Sequence, residues 1–223
     1  MTASYRRPIA ARNHAWAKAA AARLGERGVT PNMISMAGTG AAALAFLVLW
    51  WAGAVSHGLA RAPLFLLAAG FILARMVCNL LDGMVAIEGA RGAPDGAFWN
   101  EFSDRISDIL ILGGLGLAAH HPGLGFLAAA LAVLAAYVRE LGRARGAPVD
   151  FGGPLAKPER MVTAMVGLGL AMLWPLWGAD PWWVLRVVLW VIILGTAATV
   201  ALRAARLIQW MKARPPGAAV PPD

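Results

Sequence analysis

Charge is scarce in this sequence. Only 14% of its 223 residues are charged, against 59% hydrophobic, and the mean hydropathy is +0.62. A chain so short of polar surface is not an ordinary soluble domain and reads as an integral membrane protein. Cysteine is nearly absent: the single Cys78 excludes a disulfide framework and a Cys-based zinc site, and reads as a small packing residue in a span. The four histidines, His14, His57, His120 and His121, show no ligand spacing and fall at predicted interfaces. No internal repeat is visible, so the inverted halves of a transporter are not indicated. The amino-terminal stretch lacks the apolar core of a signal peptide.

What is present is a series of apolar runs. Runs of roughly 20 residues, the length that crosses a ~30 Å hydrocarbon core, lie at 33–53, 63–85, 97–119, 123–142, 161–178 and 182–204. The expected fold is therefore all-α, an integral membrane bundle of six transmembrane helices. Three parts are expected: a basic juxtamembrane segment at 1–31, a membrane domain at 32–205, and a tail at 206–223 that is basic, then Pro-rich and disordered. In the first part Arg6, Arg7, Arg12, Lys18, Arg23 and Arg27 oppose the lone acid Glu26, with Ile9, Trp16, Leu24 and Val29 as sparse anchors. That pattern suits an amphipathic helix on the membrane surface.

The net charge of +8 would point to nucleic acid in a soluble protein. Here the cations sit in short links between apolar runs, so they set topology and meet anionic lipid instead. Arg91, the group Arg139, Arg143, Arg145, Lys157 and Arg160, and the group Arg203, Arg206, Lys212 and Arg214 share one side with the amino terminus, while the other side offers Arg61. The positive-inside rule puts both termini in the cytoplasm. Trp50, Trp51, Trp174, Trp177, Trp182 and Trp183 mark the opposite interface as anchors. The expected location is a bacterial inner membrane.

Half of the twelve acids lie between Asn79 and Asp108, in NLLDGMVAIEGARGAPDGAFWNEFSDRISD. Acid beside membrane spans is expensive unless paired, solvated or bound to a cation, so the stretch is a functional site by default. Asn79 and Asp82 are three apart near the end of span two, and Asn100, Asp104 and Asp108 are four apart near the start of span three. Each set shares a helix face. Helical rise puts both sets roughly 5–15 Å from the cytoplasmic boundary. Clustered carboxylates repel and are costly to desolvate, and a divalent cation relieves both. Oxygen-only ligands point to Mg²⁺, Mn²⁺ or Ca²⁺ rather than zinc, one or two ions, and a phosphate-bearing substrate as partner favours Mg²⁺ or Mn²⁺. Gly83, Gly92 and Gly96 let a bulky ligand approach the backbone.

Asp82-Gly83, Ala86, Gly96, Asn100 and Asp104 resemble the signature of the CDP-alcohol phosphotransferases, D-x2-D-G-x2-A-R-x8-G-x3-D-x3-D, without a gap. The six-span layout and the Thr30-Pro31-Asn32 lead-in to span one are similar too. Three positions depart: Asn79 and Asn100 stand at the first and third signature Asp, and Ile87 at the Arg, as in a divergent branch. In the family four Asp hold two divalent cations and the last is the general base.

The resemblance implies attack of an alcohol on the β-phosphate of a CDP-linked lipid, CDP-diacylglycerol, with release of CMP in phospholipid synthesis. It assigns Asp104 as base and metal ligand, Asp82 to metal, and Asn79 and Asn100 to metal as amides, with Glu101 and Asp108 supplying missing charge. Gly83, Ala86 and Gly96 would line the cytidine and diphosphate site. Arg139, Arg143, Lys157 and Arg160 are similar to the cationic stretches that receive a phosphorylated acceptor, although topology alone also predicts cations there. Arg75, one turn before Asn79, either contacts phosphate or pairs with Asp108. A homodimer is also implied. The alternatives are a catalytically impaired lipid or CDP-lipid binding member of the same fold, and an ion pathway. Acids grouped at one membrane face argue against the last.

Overall fold

A computed structural model describes residues 14–56, 59–88, 94–177 and 180–214. The described residues hold seven α-helices and no strand: α1 (Ala15–Glu26), α2 (Pro31–Ala54), α3 (Ala62–Glu88), α4 (Gly96–Ala118), α5 (Pro122–Ala144), α6 (Lys157–Leu173) and α7 (Pro181–Lys212). Short 3₁₀ turns at Leu59–Arg61 and Trp174–Trp177 precede α3 and follow α6. The helices start where local chemistry predicts. Thr30 caps α2 by accepting from the Met33 N–H at 3.3 Å, and Asp180 caps α7 by accepting from Trp182. Proline occupies the first turn of α2, α5, α6 and α7, where its missing N–H has no intrahelical partner to lose.

The six long helices close into a ring in the order α2, α3, α6, α7, α5, α4, with α1 lying against α3. Consecutive α3 and α4 barely touch; α2 packs heavily on both and stands between them. The core is built from small side chains, among them Ala42, Ala45, Ala68, Ala128, Ala132 and Ala164, interleaved with Leu49, Phe65, Ile72, Ile111, Leu112, Leu168 and Leu185. Small residues suit helix packing in lipid, where association rests on close backbone approach. At the α4–α5 contact a Cβ on Gly116 would fall 2.7 Å from the Gly125 Cα, so both positions must remain glycine. Large apolar side chains face outward instead, including Leu66, Leu194, Trp50 and Trp51, as expected of a bundle solvated by acyl chains.

Four helices are long and apolar enough to cross a membrane: Pro31–Ala54, Ala62–Ala86, Pro122–Ala144 and Pro181–Lys212. This is a membrane protein. Six such spans were expected; among the described residues α4 and α6 do not reach that measure of length and composition, for two physical reasons. The first half of α4 carries Glu101, Asp104, Arg105 and Asp108, and α6 has only 17 residues. The fifth run was expected to reach 178, but the α-helix stops at Leu173 just ahead of Pro175, which cannot continue the hydrogen-bond ladder. Conversely α7 continues to Lys212, eight residues past the predicted end. At 1.5 Å per residue its 32 residues reach ~48 Å, more than a hydrocarbon core requires.

In the basic first part, α1 buries Ala17 and Ala21 against a cluster with Ile34, Leu80, Leu81, Met84 and Val85. Its Trp16 remains half exposed. Of the tail expected at 206–223, the first part is helical to Lys212; residues 215–223, with Arg6, Arg7, Ile9, Arg12, Arg91, Gly92 and His57, lie outside the described residues, as do the side chains of Ile87, Glu88 and Trp177.

Candidate active site at the acidic end of the bundle

Four helices supply the site. From α3 come Asp82 and Arg75, from α4 Asp104 and Asp108, from α6 Lys157 and Arg160, and from α2 Ser35. Asp82, Asp104 and Asp108 are all buried, at 4%, 7% and 1% exposure, yet each has a polar partner. Ser35 donates to Asp82 Oδ2 at 2.9 Å, and the Gly83 N–H lies 2.6 Å from Oδ1. Asp104 receives both the Arg75 guanidinium and the Lys157 ammonium, with Arg105 at 3.5 Å on its other oxygen. Asp108 pairs with Arg160 at 3.1 Å, and Arg160 also donates to the Leu155 carbonyl at 3.2 Å. Charges buried this deeply are tolerable only in such pairs.

Arg75 is fixed from both flanks. Its Nε donates to Ser107 Oγ at 2.7 Å, and Ser107 donates in turn to the Ser103 carbonyl at 2.7 Å. On the α2 side Gly38 makes room: a Cβ there would lie 3.3 Å from Arg75 Nη1 and 2.9 Å from the Cys78 Cβ. Of the two expectations for Arg75, the pairing with Asp108 is corrected. Arg75 sits at the level of Asp104, because α6 brings Arg160 to Asp108 first.

Glu101 and Asp108, expected to replace missing metal charge, are engaged with cations instead. Glu101 meets Arg139 at 2.6 Å and Arg105 at 3.2 Å, and Asp108 faces Arg160. Among the described residues no group of three or more acids, histidines or cysteines converges as a metal site. What remains toward a metal is Asp82 and, shared with Arg75, Lys157 and Arg105, Asp104, with the half-buried Asn79 and exposed Asn100. This oxygen-only set fits a hard cation such as Mg²⁺ or Mn²⁺ through few carboxylates.

The cations gather beside the acids. Arg105, Arg139, Phe151, Lys157, Arg160 and Arg203 line a narrow cleft of about 20 Å³ floored by Ala132, Ala135 and Ala136. Arg143 is not part of it; half exposed, it pairs with Glu140 at 3.6 Å. Arg105 and Arg203 were missed in sequence. The first was legible as the residue after Asp104, while the second lies far along the chain on α7 and is brought in by its bonds to the Gly152 and Ala135 carbonyls, both 2.9 Å. Ser35 was missed as well, although it lies one turn beyond the Thr30-Pro31-Asn32 lead-in. At the mouth, Asn32 and Trp99 both donate to Asp95, at 3.2 and 2.9 Å, beside the half-buried Gly96. Gly83 and Ala86 are half-buried on α3 next to Asp82.

No family model matches the sequence. Against individual proteins the likeness is extensive. Over 183 residues the chain is 30% identical to the phosphatidylinositol phosphate synthase of Corynebacterium glutamicum, covering 78% of this chain and 76% of the relative. The chain belongs to the CDP-alcohol phosphotransferase family, beside the phosphatidylinositol phosphate synthases. The corresponding synthase of Mycolicibacterium smegmatis is 29% identical over 183 residues, 79% of this chain and 76% of that protein. Among solved structures, the Mycobacterium tuberculosis phosphatidylinositol phosphate synthase in complex with manganese and citrate superposes with a TM-score of 0.69 at 22% identity, covering 86% of this chain and 88% of that one. That likeness shows a common fold. As a member of the family this phosphotransferase moves a phosphatidyl group from a CDP-linked lipid to an alcohol in phospholipid synthesis.

Proposed function

We propose that this phosphotransferase transfers the phosphatidyl group of CDP-diacylglycerol to a phosphorylated alcohol, releasing CMP on the cytoplasmic side of a bacterial inner membrane. The observation that carries the reading is the sharing of Lys157: its ammonium touches Asp104 and also lines the cationic cleft. A base for a hydroxyl and a receptor for a phosphate therefore adjoin, as an acceptor carrying both groups requires. CDP-diacylglycerol as donor is supported by the fold shared with the M. tuberculosis synthase, which has been solved with CDP-DAG bound.

In this reading the acceptor phosphate enters among Arg105, Arg139, Lys157, Arg160 and Arg203, where guanidinium groups make paired contacts and the ammonium acts as a point charge. The phosphate draws Lys157 toward itself and so removes one of the two cations on Asp104 Oδ1, where Arg75 remains, while Oδ2 has Arg105 at 3.5 Å. Asp104 then accepts the proton of the acceptor hydroxyl. That oxygen attacks the β-phosphorus, the bond to the bridging oxygen breaks, and CMP leaves with the electron pair. Gly83, Ala86 and Gly96 border the nucleotide, where the absence of bulk leaves backbone accessible. Asp82 and Asp104, with the Asn79 and Asn100 amides, would hold a divalent cation. When bound, it neutralises the diphosphate charge and polarises the phosphoryl oxygen.

All six long helices cross the bilayer in this reading, with α1 on the cytoplasmic surface and both termini in the cytoplasm. The lipid donor then enters laterally while acceptor and CMP exchange with water. The homodimer implied by the resemblance is read from particle mass in nanodiscs.

A second reading is motivated by Asn79 and Asn100: a member that binds CDP-lipid without turning it over. One experiment separates them. Purified protein is given CDP-diacylglycerol, Mg²⁺ or Mn²⁺ and a panel of phosphorylated and plain alcohols, beside an Asp104→Asn control. Acceptor-dependent CMP release that is lost in the control supports the enzyme and names the acceptor. Binding of CDP-lipid without release across the panel supports the second reading.

A further inference from the structure

The charges around Asp104 carry an inference beyond the reaction itself. The family resemblance implies four carboxylates balancing two divalent cations. Here two of those positions are the neutral amides Asn79 and Asn100, so two negative charges are missing, as many as one divalent ion carries. With one divalent ion fewer the charges balance again, and the structure places protein cations on the last carboxylate: Arg75, itself 2% exposed, and Lys157 on one oxygen of Asp104, with Arg105 near the other. Arg75 is also built in rather than collapsed onto a free acid. Ser107 on α4 receives its Nε, and Gly38 on α2 leaves the space its head group occupies.

We propose that Arg75 stands in for one of the two divalent cations, so that the centre takes a single ion, on Asp82 and Asp104 with Asn79 and Asn100, beside a permanent guanidinium at Asp104 Oδ1. The inference rests on the phosphotransferase reading and specifies its metal stoichiometry. The chemistry suits the substitution. A guanidinium stays protonated at all physiological pH and bonds phosphoryl oxygens through a rigid fork, and fixed donors aimed at developing charge need no reorganisation. Lys157 does not fill the same role, because it is also a wall of the acceptor cleft; Arg75 is not among the residues lining that cleft.

The test counts ions. Full-length protein in phosphatidylcholine nanodiscs is titrated with Mn²⁺, and free Mn²⁺ is followed by electron paramagnetic resonance. The expected result is one Mn²⁺ per chain. Restoring both carboxylates with Asn79→Asp and Asn100→Asp while Arg75 remains is expected to leave one ion. Adding Arg75→Leu to that pair is expected to admit a second, seen as a spin-coupled Mn²⁺ pair. Zero or two ions in the natural protein overturn the proposal, as do two ions in the double variant that retains Arg75. The natural protein's stoichiometry decides even if a variant fails to fold. One bound Mn²⁺ with no CMP release would refute the proposed reaction and leave this assignment standing.

Discussion

Asp108 is the residue on which the two readings of the acidic face diverge most sharply. By spacing it was a candidate to supply charge to a metal; in the bundle it is 1% exposed and its carboxylate meets Arg160. Replacing it by asparagine leaves a guanidinium, itself 3% exposed along its side chain, facing a neutral amide in a dry interior. Breaking a buried pair from one side typically costs ~3–5 kcal/mol, because the remaining charge is uncompensated. Arg160 retains its bond to the Leu155 carbonyl, so the loss belongs at the lower end, about 3 kcal/mol. Removing both charges with Asp108→Leu and Arg160→Met should recover most of it, to within about 1 kcal/mol of the natural protein, since an apolar replacement forfeits no solvation. Reversible unfolding in mixed micelles, run as a double-mutant cycle, measures the coupling. A coupling below about 0.5 kcal/mol would refute the pairing, and a fall in Mn²⁺ affinity in Asp108→Asn with stability intact would restore Asp108 as a ligand.

Three further outcomes are expected. Ser35→Ala removes the donor that orients Asp82 and should weaken Mn²⁺ binding about 10-fold, the usual effect of losing an outer hydrogen bond to a ligand, read in the same titration. Gly125→Val forces a side chain into Gly116, whose Cα lies 2.7 Å from the position a Cβ would take; α4 and α5 must separate, and unfolding should become easier by about 1–3 kcal/mol or more. Arg203→Gln releases the Gly152 and Ala135 carbonyls, loosening the loop that delivers Lys157, and should raise the acceptor KM while the CDP-lipid KM holds.

The helices were largely legible because membrane spans carry their signal locally. Length and hydropathy sufficed to place six long helices within a few residues, save where α6 ended at Leu173 and α7 ran on to Lys212. Asp82 and Asp104 were legible because buried acid next to an apolar run is costly and so conspicuous. Their partners were not. The acidic faces of spans two and three were expected at one depth; their backbones stay apart with α2 packed on both, yet Arg75 of α3 reaches Asp104 and Ser107 of α4, and α2 contributes Ser35. No periodicity within one segment reports which segment lies beside it.

By itself the sequence determined that this is an all-helical membrane protein, and it raised the expectation of acids and cations gathered at one end, with two signature carboxylates kept out of four. Those properties follow from side-chain chemistry and spacing along single helices. Tertiary structure alone decided which cation meets which acid: Arg75 and Lys157 on Asp104, Arg160 on Asp108, Arg139 on Glu101. It also carried Arg203 from α7 to the cleft. The physical reason is that a buried charge is satisfied by whatever group the ring of helices brings within ~4 Å, and that closure joins residues far apart in the chain, as it brings Arg75 and Lys157, 82 positions apart, onto Asp104.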